Sequence, residues 1–144
     1  MKKFSAFEKG WISAIIDGEG HISLRPHSDG KTYKPSITIA NNSEKLIQAL
    51  KKTIPSGRVY IDERKNKKNW SKTYQFSVWK QNEIKQLLEQ IKKHLIIKKG
   101  RAELMLEFLR IRKDFVAKRD KNGRFCKINQ NPEEYIIYKK FRYL

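Results

Sequence analysis

Two acids and two glycines stand together at Asp17-Gly18-Glu19-Gly20, where an apolar helical pattern stops and an alternating pattern starts. Glycine at 18 and 20 removes side-chain bulk, so another backbone can approach closely. An acid at the floor of such a junction is a hard oxygen ligand suited to a divalent cation. The 144 residues carry 33 Lys and Arg against 15 Asp and Glu, a formal net charge of +18. An excess of that size points to a polyanion, because each neutralised phosphate releases counterions. The natural partner of a metal held here is therefore a phosphate backbone.

Other chemistries fit poorly. His21, His27 and His94 lack the spacing of a zinc centre. The single Cys126 excludes an internal disulfide framework and a Cys-based zinc cluster, and suits a reducing, intracellular compartment. No Gly-rich phosphate loop is present. No apolar run approaches the ~20 residues of a membrane span, and the N-terminus lacks the long apolar region of a signal peptide.

The elements that must position the acids follow from periodicity. Ser5-Ala6-Phe7-Glu8 reads as a capping box opening a helix that ends at Asp17–Gly20. From residue 21 the period becomes two. His21, Ser23, Arg25 and His27 oppose Ile22, Leu24 and Pro26. After a turn at 28–31, Thr32, Lys34, Ser36 and Thr38 oppose Tyr33, Pro35, Ile37 and Ile39. Asn42-Ser43-Glu44 offers caps for a helix burying Leu46, Ile47, Leu50 and Ile54, which Pro55-Ser56-Gly57 breaks. A second hairpin places Arg58, Tyr60, Asp62 and Arg64 on one face and Thr73, Gln75 and Ser77 on its return strand, around a basic turn at 65–69. Trp and Tyr residues alternate with polar ones as core positions do. Asn82 is expected to cap a further helix; an extended piece, 95–99, leads through Gly100 into another. A last short helix is expected over Tyr135–Tyr143. The fold class is α+β in the order αββαββα, a curved antiparallel sheet with helices on one face and a polar face exposed. Residues 1–112 form the core, and 113–144 an extension that belongs to the same domain or is partly irregular.

Ile12-Ser13-Ala14-Ile15-Ile16-Asp17-Gly18-Glu19-Gly20 resembles the nine-residue signature of the LAGLIDADG homing endonucleases, and His21-Ile22-Ser23 opens the strand that follows it there. Ser13 and Ala14 stand in place of Ala and Gly, and Glu19 in place of the last Asp. The resemblance implies that two signature helices pack against each other through small residues. Ile12, Ser13, Ile16 and Asp17 are then assigned to a dimer interface, with Ala14 and Gly18 also suited to close approach. It implies that Glu19, with Gly18 beside it, coordinates Mg²⁺ between scissile phosphates; Mn²⁺ would substitute, and Ca²⁺ would bind without turnover. Metals bridging attacking and leaving oxygens stabilise in-line displacement.

Residues 37–45 resemble the family's strand-to-helix step beside the active site. Asn41 would orient the attacking water and Lys45 neutralise transition-state charge, where the family often has Gln and Arg. The plain alternatives are a helix cap and a solvated lysine. Leu95-Ile96-Ile97-Lys98 resembles the segment bringing a catalytic lysine to the site; Lys98 matches, with Lys99 its nearest competitor. The family lays its sheet in the DNA major groove, which assigns DNA contact to His21, Ser23, Arg25, His27, Thr32, Lys34, Ser36, Thr38, Arg58, Tyr60, Asp62, Arg64, Thr73, Gln75 and Ser77. Implied is an endonuclease that makes a double-strand break at a long, pseudo-palindromic duplex as a homodimer, leaving short 3′ overhangs. Two rivals share the scaffold: an intron maturase that binds structured RNA, and a regulator that binds DNA without cutting.

Overall fold

The computed structural model describes residues 1–28, 30, 32–62, 72–114 and 131–144. Arg64 and the basic turn at 65–69, the turn residues Asp29 and Lys31, Cys126, and most of the stretch read as irregular after 113 lie outside the described residues.

Helix α1 spans Ala6–Glu19 and opens on the expected capping box: Glu8 N donates to Ser5 Oγ, and Ser5 N donates to the Glu8 carboxylate. The chain leaves α1 directly into β1 (Gly20–Pro26). Gly20 is required at this corner, since a Cβ there would lie 2.7 Å from the Ile16 Cα. Strands β2 (Tyr33–Asn41), β3 (Arg58–Asp62) and β4 (Thr73–Val78) complete an antiparallel sheet in the order β1-β2-β4-β3. Helix α2 (Glu44–Thr53), capped by Ser43, connects β2 to β3. After β4 come α3 (Gln81–Ile91), α4 (Lys99–Asp114) and α5 (Pro132–Arg142). Asn82 does not cap α3: the cap position lies two residues earlier, at Lys80, with no side-chain bond there.

Period two sorts the sheet as expected. Ile22, Leu24, Tyr33, Ile37, Ile39, Tyr74, Phe76 and Val78 face inward, and with the helices' apolar residues they make one buried cluster. Helix α5 shares that cluster through Ile137 and Phe141. The Arg112 guanidinium ties it down. It donates to both oxygens of the nearly buried Glu134 at 2.8 and 2.6 Å, and to the Tyr33 carbonyl at 2.8 Å. Stacking of Tyr33 on Tyr138, 4.7 Å between centroids, closes the same seam.

Gly57, at the entry to β3, is a close-approach position. A Cβ there would lie 2.0 Å from the ring of Phe76, which is fully buried. Gly57→Ala is expected to cost about 1–3 kcal/mol, as overpacking does. The readout is a lower urea midpoint at unchanged slope.

Candidate active site and nucleic-acid interface

The C-terminal end of α1 leaves backbone carbonyls without helical partners, and the sequence answers them from ~80 residues away. Gly20 N donates to the Ile15 and Ile16 carbonyls. The Lys98 ammonium donates to the Ile16 and Asp17 carbonyls at 2.8 and 2.6 Å. A cation there also complements the helix dipole. The contact is reciprocated: Ile96 N and Lys98 N donate to the two Asp17 carboxylate oxygens at 2.7 and 2.9 Å. Burial pushes the Asp17 carboxyl up, but the N–H groups of Ile96, Lys98 and Ile97, with the Lys98 charge, hold it below its ordinary value. Lys98, not the exposed Lys99, therefore sits at the end of α1.

Glu19 is the last residue of α1 and is exposed. None of the bonds that tie this end down uses its carboxylate or the Gly18 carbonyl. Asp17 and Glu19 thus differ: the first is bonded inside the fold, and the second is exposed at the helix end.

Register brings the second expected segment to the same end of the sheet. Gly20 pairs with Ile39, so Asn41 lies two residues further along β2. Its Oδ1 accepts from Ser43 N at 2.7 Å, leading the chain into α2, while Lys45 stands exposed in the first turn of that helix. The N-cap of α2 is Ser43, so Asn41 is not the cap residue; its Oδ1 is bonded to the backbone N–H of that cap.

Behind this end stretches the outer face of the sheet. One row crosses all four strands: His21, Thr38, Ser77 and Arg58. Gln75 lies between Ala40 and Tyr60, and Asp62 is opposite Thr73. Arg25 lies directly opposite Lys34, both exposed. Like charges at that spacing destabilise a sheet unless an anion lies over them. Burial of the His21 imidazole, and then the charges of Arg101, Arg25 and Lys98, hold its pKa below the ordinary value. Two of the residues expected on this face are shaded. Ser23 and Ser77 are on this face, yet buried at 5% and 1% exposure. Their hydroxyls are used within the sheet: Ser23 pairs with Ser36 Oγ at 2.8 Å, and Ser77 accepts from Gln75 Nε2 at 3.0 Å. His27 and Thr32 fall just outside the strands, where His27 N bonds the Thr32 carbonyl at 2.7 Å and closes the hairpin.

No family model and no curated protein matches the chain. Solved structures do. The archaeal intron-encoded homing endonuclease I-Vdi141I, complexed with DNA, is 20% identical and superposes with a TM-score of 0.67 over 95% of this chain and 83% of its own. The homing endonuclease I-CvuI, in complex with a DNA target, gives 17% identity and 0.58, covering 72% of this chain. The LAGLIDADG meganuclease I-AabMI, bound to uncleaved DNA, gives 17% and 0.60 over 74% of this chain. This chain has the LAGLIDADG homing-endonuclease fold. It spans 66% of the length of I-CvuI and 37% of that of I-AabMI.

Within the homing-endonuclease fold, the signature helix presents a different face from the one expected. Ile12, Ser13 and Ile16 are 0%, 2% and 0% exposed in the chain's own core, and Ser13 Oγ donates to the Lys9 carbonyl at 2.7 Å. Asp17 is held by the 96–98 loop. These four residues therefore do not form the open face of α1. That face carries Phe7, Gly10, Ala14 and Gly18, all exposed and at helical spacing. Nothing lies within 4 Å of a Cβ built at Gly10 or Gly18. Ala14 and Gly18, already named as suited to close approach, lie on this open face together with Gly10.

Two more residues of this fold were missed. Arg101 supplies the largest charge effect on His21. Trp79 continues the parity of Thr73, Gln75 and Ser77, so the alternation marks it for the outer face, where it is 46% exposed. Its residue type had argued for the core.

A divalent cation can be tested against the residues present. The Glu19 carboxylate and the Gly18 carbonyl are hard oxygen donors, the type Mg²⁺ prefers. Among the described residues no three His, Cys, Asp or Glu side chains converge on one point. The two donors of one chain would supply only part of a coordination shell. Among the described residues no helix is long and apolar enough to cross a membrane.

Proposed function

We propose that this chain is a site-specific DNA endonuclease that acts as a homodimer on a long, roughly two-fold symmetric duplex. The observation that carries the reading is the end of α1, where Glu19 stands free and exposed while Asp17 and Lys98 lock the loop beneath it. Support comes from the outer sheet face, whose opposed Arg25 and Lys34 suit a phosphate-rich ligand, and from the DNA complexes of the proteins that share its fold.

The chemistry is in-line displacement at phosphorus. Glu19, the Gly18 carbonyl and Glu19 of the partner subunit would hold Mg²⁺, which when bound polarises a phosphate oxygen and lowers the pKa of bound water. Lys98 holds the α1 end in place and puts positive charge beside the scissile group. His21, whose pKa burial lowers first and the charges of Arg101, Arg25 and Lys98 lower further, offers one donor and one acceptor in its neutral form. Lys45 adds charge at the same end of the sheet, and Asn41 fixes the approach of α2.

The dimer would form through the open face of α1. Small residues at 10, 14 and 18 let two helix backbones come close, which places the two Glu19 carboxylates near the two-fold axis. Ala14→Arg, an exposed substitution in a good helix position, is expected to leave melting within about 0.5 kcal/mol of wild type. It is also expected to convert the dimer to monomer by sedimentation. A monomer in the unmodified protein, alone and on DNA, would rule out the symmetric arrangement.

The decisive experiment is cleavage-site selection from a randomised duplex library, with Mg²⁺ and Ca²⁺ compared. Expected are recovered sites of two related halves, cut in Mg²⁺ and bound uncut in Ca²⁺. Absence of any metal-dependent nicking, with structured intron RNA bound more tightly than duplex, would replace this reading with the RNA-binding one.

A further inference from the structure

One part of the outer face does not match the rest. Around it the exposed side chains are polar, yet Tyr60 on β3 and Trp79 just past β4 are 41% and 46% exposed. They are not scattered apolar residues. Their ring centroids lie 5.5 Å apart at an interplanar angle of 31°. The Arg58 guanidinium sits 5.9 Å from the Trp79 centroid, within cation–π range. Arg58 itself ends the row that crosses all four strands.

An arginine in water keeps most of its rotamer freedom, and binding must remove it. A guanidinium held near an indole has lost part of that freedom beforehand. Phosphates do not need such restriction; a mobile lysine serves them as well. A base edge does, because bidentate pairing with the O6 and N7 of guanine requires two donors at a fixed spacing and angle. Arg58 opens the edge strand β3 and pairs with Ser77, so its side chain shares the outer face with the row His21, Thr38 and Ser77.

We propose that Arg58, held beside the Tyr60–Trp79 pair, reads one guanine in each half-site. This rests on the duplex-DNA reading above. Arg58 makes the contact. Trp79 is a positioning residue acting through it.

The test is binding selection from a randomised duplex library in Ca²⁺, using the wild-type protein, Arg58→Ala, Trp79→Ala and Trp79→Phe. Arg58→Ala is expected to lose guanine preference by roughly 5- to 150-fold at one symmetric pair of positions, the range of a bidentate pair. The remaining positions should be unchanged. Trp79→Ala should weaken preference at that same pair, and Trp79→Phe, which keeps a ring face, should restore most of it. Replacing that guanine by 7-deazaguanine, which lacks the N7 acceptor, should weaken wild-type binding and leave Arg58→Ala unaffected. If the wild type binds no duplex, the functional reading fails first. If it binds and Arg58→Ala keeps every preference, or loses a thymine preference instead, this inference is wrong. An unaltered profile in Trp79→Ala, with melting unchanged, removes the role given to the indole.

Discussion

Glu19→Gln is expected to abolish strand cleavage while leaving DNA binding within a few-fold of wild type. The substitution keeps the shape of the side chain and removes its charge. Metal stabilisation of a phosphoryl transition state is worth several kcal/mol. At 1.36 kcal/mol per decade, its loss slows single-turnover cleavage by about a thousand-fold or more. Binding is expected to survive because, in the proposed function, the sheet face and not this residue carries the long contact with the duplex. Folding survives as well: Glu19 is exposed, and Asp17 and Lys98 hold the end of α1 without it. The measurement is cleavage under enzyme excess at several Mg²⁺ concentrations, paired with a binding isotherm in Ca²⁺. A variant that cuts at the normal rate removes Glu19 from the chemistry.

Asp17→Asn should do the opposite kind of damage, with stability and rate falling together. The wild-type carboxylate accepts from Ile96 N and Lys98 N, and Ile97 N also contributes. An amide offers one acceptor and turns an NH₂ toward one of those donors. Hydrogen bonds to a charged group are worth about 1.5–3 kcal/mol each when well formed. The site is partly open to water, so a total loss of about 2 kcal/mol is the reasonable scale. The loop that carries Lys98 then loses its anchor, and misplacement of an active-site group by about 1 Å costs on the order of a hundred-fold in rate. The pH dependence separates this from generic destabilisation. The folded-state pKa of Asp17 lies below its unfolded value of about 3.9. Its contribution is therefore fully present above about pH 4 and is lost as pH falls through the folded-state value. The advantage of wild type over Asp17→Asn should be constant near neutrality and shrink on acidification. An advantage that grew as pH dropped would contradict the assignment.

Much of this was legible from residue order. Alternation from 21 to 39 and from 73 to 78 assigned the two faces of the sheet, because a pleated strand allows no other periodicity. Ser5 and Glu8 located the start of α1. The orientation of that helix was harder to read. Phe7, Trp11, Ile12, Ile15 and Ile16 surround much of its circumference, so hydrophobicity alone could not choose the inward stripe. Exposure of Phe7 at 79% with Ile12 and Ile16 at 0% settles it. The shading of Ser23 and Ser77 depends on neighbours in other strands, which a single strand's pattern does not contain. Nor does any local signal link Asp17 to residues 96–98, some eighty positions later. Lys98 was found by its resemblance to a known segment, and Asn41 likewise, although its side chain is occupied with the entrance to α2.

The ammonium of Lys98 has three hydrogens, and two of them end on carbonyl oxygens of α1. Tetrahedral nitrogen leaves no choice about the third: it must project away from both acceptors, clear of the helix terminus. A side chain with four torsions is thereby converted into a single aimed donor, its wandering already surrendered when the protein folds. Whatever anion arrives there meets a proton whose heading was decided in advance.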